Sequence, residues 1–265
     1  MGRASYRLGQ YDAALDYVQA AQDLASYTND REHDAVSELI LGWIYQRLGD
    51  YGSAEKHYQA ALAIRRRIGD RYGEATALSH LGWLARDHQR HQDGLRYCQE
   101  ALTISRAIGD RENEAYALSG MGINHEQMDE LETAVVDYQE ALAIQQDIGA
   151  TTLAIFDQAG LARIAWRQGD FSTARKQIRP VVDWILAGKA QQFWDPWTIY
   201  QSAYELLTEL GETETAGLIL EEAHTVLHQR VGQISNQALR ERFLQNVTVN
   251  QQIEAAWHSR QKQDN

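Results

Sequence analysis

Ile68-Gly69-Asp70-Arg71 and Ile108-Gly109-Asp110-Arg111, followed in register by the weaker Ile148-Gly149-Ala150-Thr151, recur every 40 residues, and their reading decides the fold. The pairs Leu41-Gly42, Leu81-Gly82 and Met121-Gly122 keep the same register. So do the unit ends Gln59-Ala60-Ala61-Leu62, Gln99-Glu100-Ala101-Leu102 and Gln139-Glu140-Ala141-Leu142. An internal repeat of this length marks stacked units that share one continuous core. Within a unit, apolar residues at helical spacing run from Ala35 to Leu48, stop at Gly49-Asp50 and resume from Tyr51 to Ile68. Glycine can close one helix in the left-handed conformation, and the following aspartate can accept the orphan N–H groups of the next. Turns this short make neighbouring helices antiparallel. The expected fold is therefore all-α, an α-solenoid of stacked antiparallel helix pairs.

Composition agrees. The 265 residues include only two prolines, and 44% are hydrophobic, with Ala, Leu, Gln, Glu and Arg abundant. A formal charge of −12 disfavours a nucleic-acid footprint over the whole chain, because phosphate binding needs a basic face. The single cysteine, Cys98, excludes an internal disulfide and aligns with Tyr58 and Tyr138, which places it at a core position. No run of about 18 apolar residues exists, and the first residues carry no apolar signal segment. The expected location is the cytoplasm, without membrane association.

Leu41-Gly42, Tyr45, Ala54 and Tyr58, with Ala134 and Tyr138 repeating the second half, resemble the tetratricopeptide repeat. Small residues at Gly42, Gly82, Gly122 and Ala162 suit the close approach of the two helices in each unit. The usual unit is about 34 residues; here it is longer, and the proline that normally closes it is missing at the three clear unit ends. In this form the array resembles the repeats of spindle-orientation adaptors and the C-terminal sensor arrays of bacterial signalling ATPases. The resemblance implies a superhelical array: residues 1–28 a first unit lacking the front of its leading helix, 29–148 three regular units, 149–190 a divergent fifth unit whose repeat pattern ends in Arg179-Pro180, 191–234 a sixth unit entered through an aromatic connector, and 235–265 a capping segment and tail.

Catalytic signatures are absent: there is no phosphate-binding glycine loop, dinucleotide fingerprint, zinc-protease helix or nucleophile elbow. His224 and His228 lie one turn apart with Glu221 before them, a spacing that can hold a metal. No second such motif accompanies them, and they read as surface histidines, as do His88 and His91. Arg65-Arg66-Arg67 with Arg71 reads as a solvated face offset by acidic neighbours. No catalytic residue, metal or cofactor is expected.

The binding expectation rests on one stripe of each first helix, about 100° from the packing glycine. In the resembled family this stripe lines the concave groove. It carries Val36, Leu39 and Trp43 in the second unit, Thr76, Trp83 and Arg86 in the third, Tyr116 and Ile123 in the fourth, and Phe156, Arg163 and Trp166 in the fifth, with Arg47 and Arg167 one position beyond. Aromatic residues with arginine form the composition of binding hot spots. The expected function is a non-catalytic sensor or scaffold segment of a bacterial regulatory protein, holding a peptide, protein or small ligand in the groove, an acidic peptide with one apolar anchor suiting it best. The alternatives are a free-standing adaptor joining two proteins and, from another class, an enzyme with its site near Trp184 to Trp197. Apolar residues such as Leu8 and Leu15 at the front of the array also suit pairing of two copies.

Overall fold

The structure, a computed structural model, describes residues 1–192 and 196–263. Phe193, Trp194 and Asp195 of the expected aromatic connector lie outside the described residues. All regular secondary structure among the described residues is helical, and it divides into two compact units, Met1–Ala150 and Thr151–Asn265.

The first unit contains α1 (Gly2–Arg7), α2 (Tyr11–Thr28), α3 (Arg31–Arg47), α4 (Tyr51–Ile68), α5 (Arg71–Asp87), α6 (His91–Ile108), α7 (Arg111–Gln127) and α8 (Leu131–Asp147). Consecutive helices pack as pairs, and each pair packs on the next, as the 40-residue spacing predicts. Within a pair the mid-helix glycine meets the buried residue sixteen positions later. Gly42 faces the Tyr58 ring, Gly82 the Cys98 sulfur and Gly122 the Tyr138 ring, where an added Cβ would lie 2.8 Å from the Tyr138 ring carbons. Tyr58, Cys98 and Tyr138 are each fully buried. The two tyrosine hydroxyls donate back across the crossing, Tyr58 to Gln46 at 2.7 Å and Tyr138 to Glu126 at 2.9 Å.

The Gly-Asp-Arg punctuation joins one pair to the next. Gly69 (φ 73°) and Gly109 (φ 73°) take the left-handed conformation that ends α4 and α6. Asp70 and Asp110 then accept the backbone N–H of Gly73 at 2.9 Å and of Asn113 at 3.1 Å, capping α5 and α7. Beside each cap an ion cluster repeats. Arg66 holds Glu74 at 2.8 Å and also pairs with Glu100, while Arg71 reaches Glu74 at 2.6 Å. Forty residues on, Arg106 holds Glu114 at 2.9 Å and pairs with Glu140, and Arg111 reaches Glu114 at 2.5 Å. Glu74 and Glu114 are buried beneath these arginines. The acidic neighbours anticipated for this cluster are thus present for Arg65, Arg66 and Arg71, but Arg65, bound to Asp70 at 2.5 Å, is buried and not part of a solvated face.

The second unit comprises α9 (Thr151–Arg167), α10 (Phe171–Leu186), a short 3-10 turn (Lys189–Gln192), α11 (Trp197–Glu209), α12 (Thr213–Gly232), α13 (Gln237–Gln245) and α14 (Thr248–Gln263). One expectation is corrected here: α10 does not stop at Arg179-Pro180 but continues to Leu186. Proline removes one backbone donor, yet Ile178, Val181, Val182, Trp184 and Ile185 bury on the same helix, and that burial outweighs the missing bond. At the C-terminal end α14 packs on α12 and α11, with Ile253 and Phe243 buried. At the other end of the chain Leu8 is exposed and Leu15 half-buried, and Tyr17, Leu24 and Tyr27 stand exposed along α2.

Two outcomes test this assembly. Gly82→Leu forces a side chain into Cys98 and the Gly94 carbonyl and should cost about 1–3 kcal/mol. Hydrogen exchange should then show α5 and α6 losing protection first, with α11 to α14 retained; uniform loss along the chain would refute nearest-neighbour stacking. Glu114→Gln removes the common partner of Arg106 and Arg111 and should lower stability by about 1–3 kcal/mol in urea titration.

Candidate functional site

The first helices α3, α5 and α7 place their stripe residues side by side, and the aromatic ones form a ladder across them. Trp43 donates its indole N–H to Nε2 of His80 at 3.0 Å, and its ring lies 5.7 Å from Tyr6. His80 stacks on Tyr58 (5.4 Å, 16°) and meets the edge of Tyr116 (5.5 Å, 60°). Tyr116 in turn stacks on Trp83 (5.0 Å, 11°), whose indole N–H donates to the Tyr116 carbonyl at 3.2 Å. The Arg86 guanidinium lies 5.7 Å from the Trp83 ring. The ladder therefore fastens adjacent first helices to one another.

This geometry changes the reading of several predicted binding residues. Trp83 and Ile123 are buried at 6% and 3% exposure, so neither offers an open surface; Trp83 fills the space between α5 and α7. Arg47 is likewise buried, close enough to His80 for its charge to act on that ring. Val36 is exposed, while Trp43, Arg86 and Tyr116 are half-buried. In the second unit Phe156 is buried, Arg163 donates to the Ser202 hydroxyl at 2.8 Å, Trp166 is half-buried and Arg167 exposed. Of the region set aside for an enzyme site, Trp184 and Trp197 are core residues, the latter packed edge-on against Phe243 at 6.0 Å.

Two features escaped the sequence reading. An open concavity of about 720 Å³ lies among α3, α4 and α5, lined by Ala35, Leu39, Ala61, Ile68, Tyr72 and Thr76 together with Glu32, Arg65 and Asp70. It meets the predicted stripe at Leu39 and Thr76. Its walls come from three helices, so no single periodic pattern announces it. The second is the place of Glu254 of α14, which meets the His224 and His228 pair of α12 already noted in the sequence, where Glu221 was the carboxylate considered. Glu254 and His258 stand four apart, as do His224 and His228; the matching spacing on two helices was the available signal. Cys98, by contrast, sits where its alignment predicts. Burial, with Asp137 adding, pushes its thiol up to about 12, which excludes a reactive thiolate near neutral pH.

His80 gives this face a defined pH response. Enclosure by three rings, with the Arg47 charge adding, pushes its imidazole down to about 3, and accepting the Trp43 proton fits the neutral ring. The unfolded chain protonates near its ordinary value of 6.5 while the folded chain stays neutral. This contribution is therefore complete above pH 6.5 and declines as pH falls from 6.5 toward 3. The slope approaches about 1.4 kcal/mol per pH unit for one proton. Urea unfolding of the wild type and His80→Gln between pH 7 and 4 should show the variant losing less stability; parallel curves would remove His80 as the cause.

Comparison with known proteins places these features in a family. The chain is similar to BtubC (BKLC) from P. vanneervenii, with 20% identity and a TM-score of 0.61 over 85% of this chain and 92% of that one. It is similar to a Rap protein complexed with Competence and Sporulation Factor, with 15% identity and a TM-score of 0.64 over 88% and 74% of the two chains. A Signal Transduction ATPase with Numerous Domains from Pyrococcus horikoshii, which carries a tetratricopeptide repeat sensor, shares 18% identity at a TM-score of 0.61; the match covers 91% of this chain and 37% of that protein. At these identities the likeness is one of fold. No curated protein matches the sequence. The family model of the tetratricopeptide repeat matches residues 1–67, 41–93 and 73–147, more than half of the chain, and with the glycine–tyrosine crossings in place the protein belongs to the tetratricopeptide repeat family.

Proposed function

We propose that the chain is a non-catalytic binding module, and that the concavity among α3, α4 and α5 receives an apolar anchor from a peptide or protein segment. The observation that carries this reading is the concavity itself: aliphatic lining at Ala35, Leu39, Ala61 and Ile68, the exposed Tyr72, and the polar Glu32, Asp70 and Thr76 among the same lining residues. A few convergent polar groups around an apolar hollow suit orientation of a partner. The predicted stripe contributes Leu39 and Thr76 to the wall, with Val36 exposed nearby on α3. Arg47 is buried and Arg65 is bound to Asp70, so recognition at the concavity rests on the apolar anchor. The sensor reading is supported by the fold likeness to the Pyrococcus horikoshii protein's repeat sensor and to a Rap protein crystallised with Competence and Sporulation Factor. A second copy of the chain is a further candidate partner, favoured by the exposed Tyr17, Leu24 and Tyr27 on α2.

A displayed peptide library selected against the full chain tests the first reading. Enriched peptides should share one apolar anchor, and Tyr72→Ala or Thr76→Arg should weaken them about tenfold or more, roughly 1.4 kcal/mol, with the helical signal unchanged. Wild-type affinity in both variants would move the site elsewhere. Trp83→Ala should instead lose about 3–5 kcal/mol of stability, because its ring is packed between α5 and α7.

A further inference from the structure

His224 and His228 are successive on one face of α12, and Glu254 and His258 are successive on the facing side of α14. All three imidazoles turn toward one carboxylate. His228 Nε2 lies 2.8 Å and His224 Nε2 3.6 Å from Glu254 Oε1, and His258 Nε2 lies 3.7 Å from Glu254 Oε2. The ligand atoms of His224, His228 and Glu254 all fall within 4.8 Å of one another. Tetrahedral zinc with bonds near 2.1 Å needs donors about 3.4 Å apart, so the first three groups stand close to a coordination triangle before any cation arrives. The His224 ring is also fixed in plane, stacked on Trp257 at 4.4 Å and 13°. A ring held by a neighbour loses little freedom on ligation, and such outer support is characteristic of metal-binding histidines.

We infer that His224, His228 and Glu254 form a binding site for a borderline divalent transition cation of the zinc class, with His258 or water in the fourth position. Imidazole donors select zinc, cobalt, nickel or copper over magnesium or calcium, whose sites are built from oxygen. The cation takes the place of the hydrogen bond between His228 and Glu254, the displaced imidazole proton passing to the other ring nitrogen or to solvent. Because the ligands come from two helices, it also ties α14 onto α12. A purely structural role would leave the same residues as a hydrogen-bonded tether, with no affinity for metal.

The test uses the full chain without an affinity tag. Calorimetric titration with zinc chloride should show one equivalent bound, cobalt should give the absorption of a tetrahedral site, and zinc should raise the unfolding midpoint. His228→Gln and His258→Gln alter exposed side chains and leave the Trp257 stack in place. His228→Gln should weaken zinc binding at least about tenfold, the scale set by loss of outer-shell support alone, and abolish the zinc-dependent rise in midpoint. Absence of saturable zinc binding would overturn the inference. So would unchanged affinity in His228→Gln, which would assign the metal to one of the six histidines elsewhere. A cobalt spectrum of octahedral type in the wild-type chain would overturn it without recourse to any variant.

Discussion

The contact on which the first unit depends is the meeting of a bare backbone with a fully buried side chain, Gly42 with Tyr58, Gly82 with Cys98 and Gly122 with Tyr138. It sets how near the two helices of a pair can come, and hence which faces remain for the neighbouring pair. Packing this close tolerates no added carbon, because protein interiors are filled to crystal-like density. The middle pair shows the constraint most clearly. Cys98 is smaller than tyrosine, and the space it leaves is shared: its sulfur touches the position of Gly82 on one side and of Gly120, from the next pair, on the other. A cysteine thus performs here both an intra-pair and an inter-pair contact.

Around that packing, the charged groups set where helices begin and how pairs align. The aspartate caps fix the entry of α5 and α7, and the buried Glu74 and Glu114 draw two arginines each from different elements. Exposed ion pairs contribute little individually. These differ in that the carboxylate is covered, so its desolvation must be matched by both guanidinium groups together. The division between the two units falls at Ala150, where the repeat carries alanine in place of the capping aspartate.

Repeat, helix boundaries and core positions were legible because each is written in local chemistry: Gly-Asp punctuation, an apolar period of 3.6, and a glycine in register with an aromatic. The helix from Tyr51 to Ile68 was read to the residue. Other turns were quieter, since Gln89 (φ 57°) and Asp129 (φ 65°) take the left-handed conformation without glycine. Pro180 misled for the opposite reason: a breaker by its own chemistry is overruled by its neighbours' burial. The candidate site was legible only as a stripe. Whether Trp83 faces solvent or a neighbouring helix depends on the ring stacked against it, Tyr116, thirty-three residues away. The concavity and the His–Glu cluster are likewise products of which helices meet.

The repeated arginine–glutamate cluster has a consequence for how such a chain can change over generations. Arg66 meets Glu74 and Glu100 in the same way that Arg106 meets Glu114 and Glu140, so the trailing edge of one pair presents the same groups as the trailing edge of the next. Excising a block from Arg71 to Asp110, or copying it in tandem, would join edges that already match in charge, cap and backbone turn. Length is therefore a quantity that this gene can vary in whole steps, with each step leaving the junctions chemically intact.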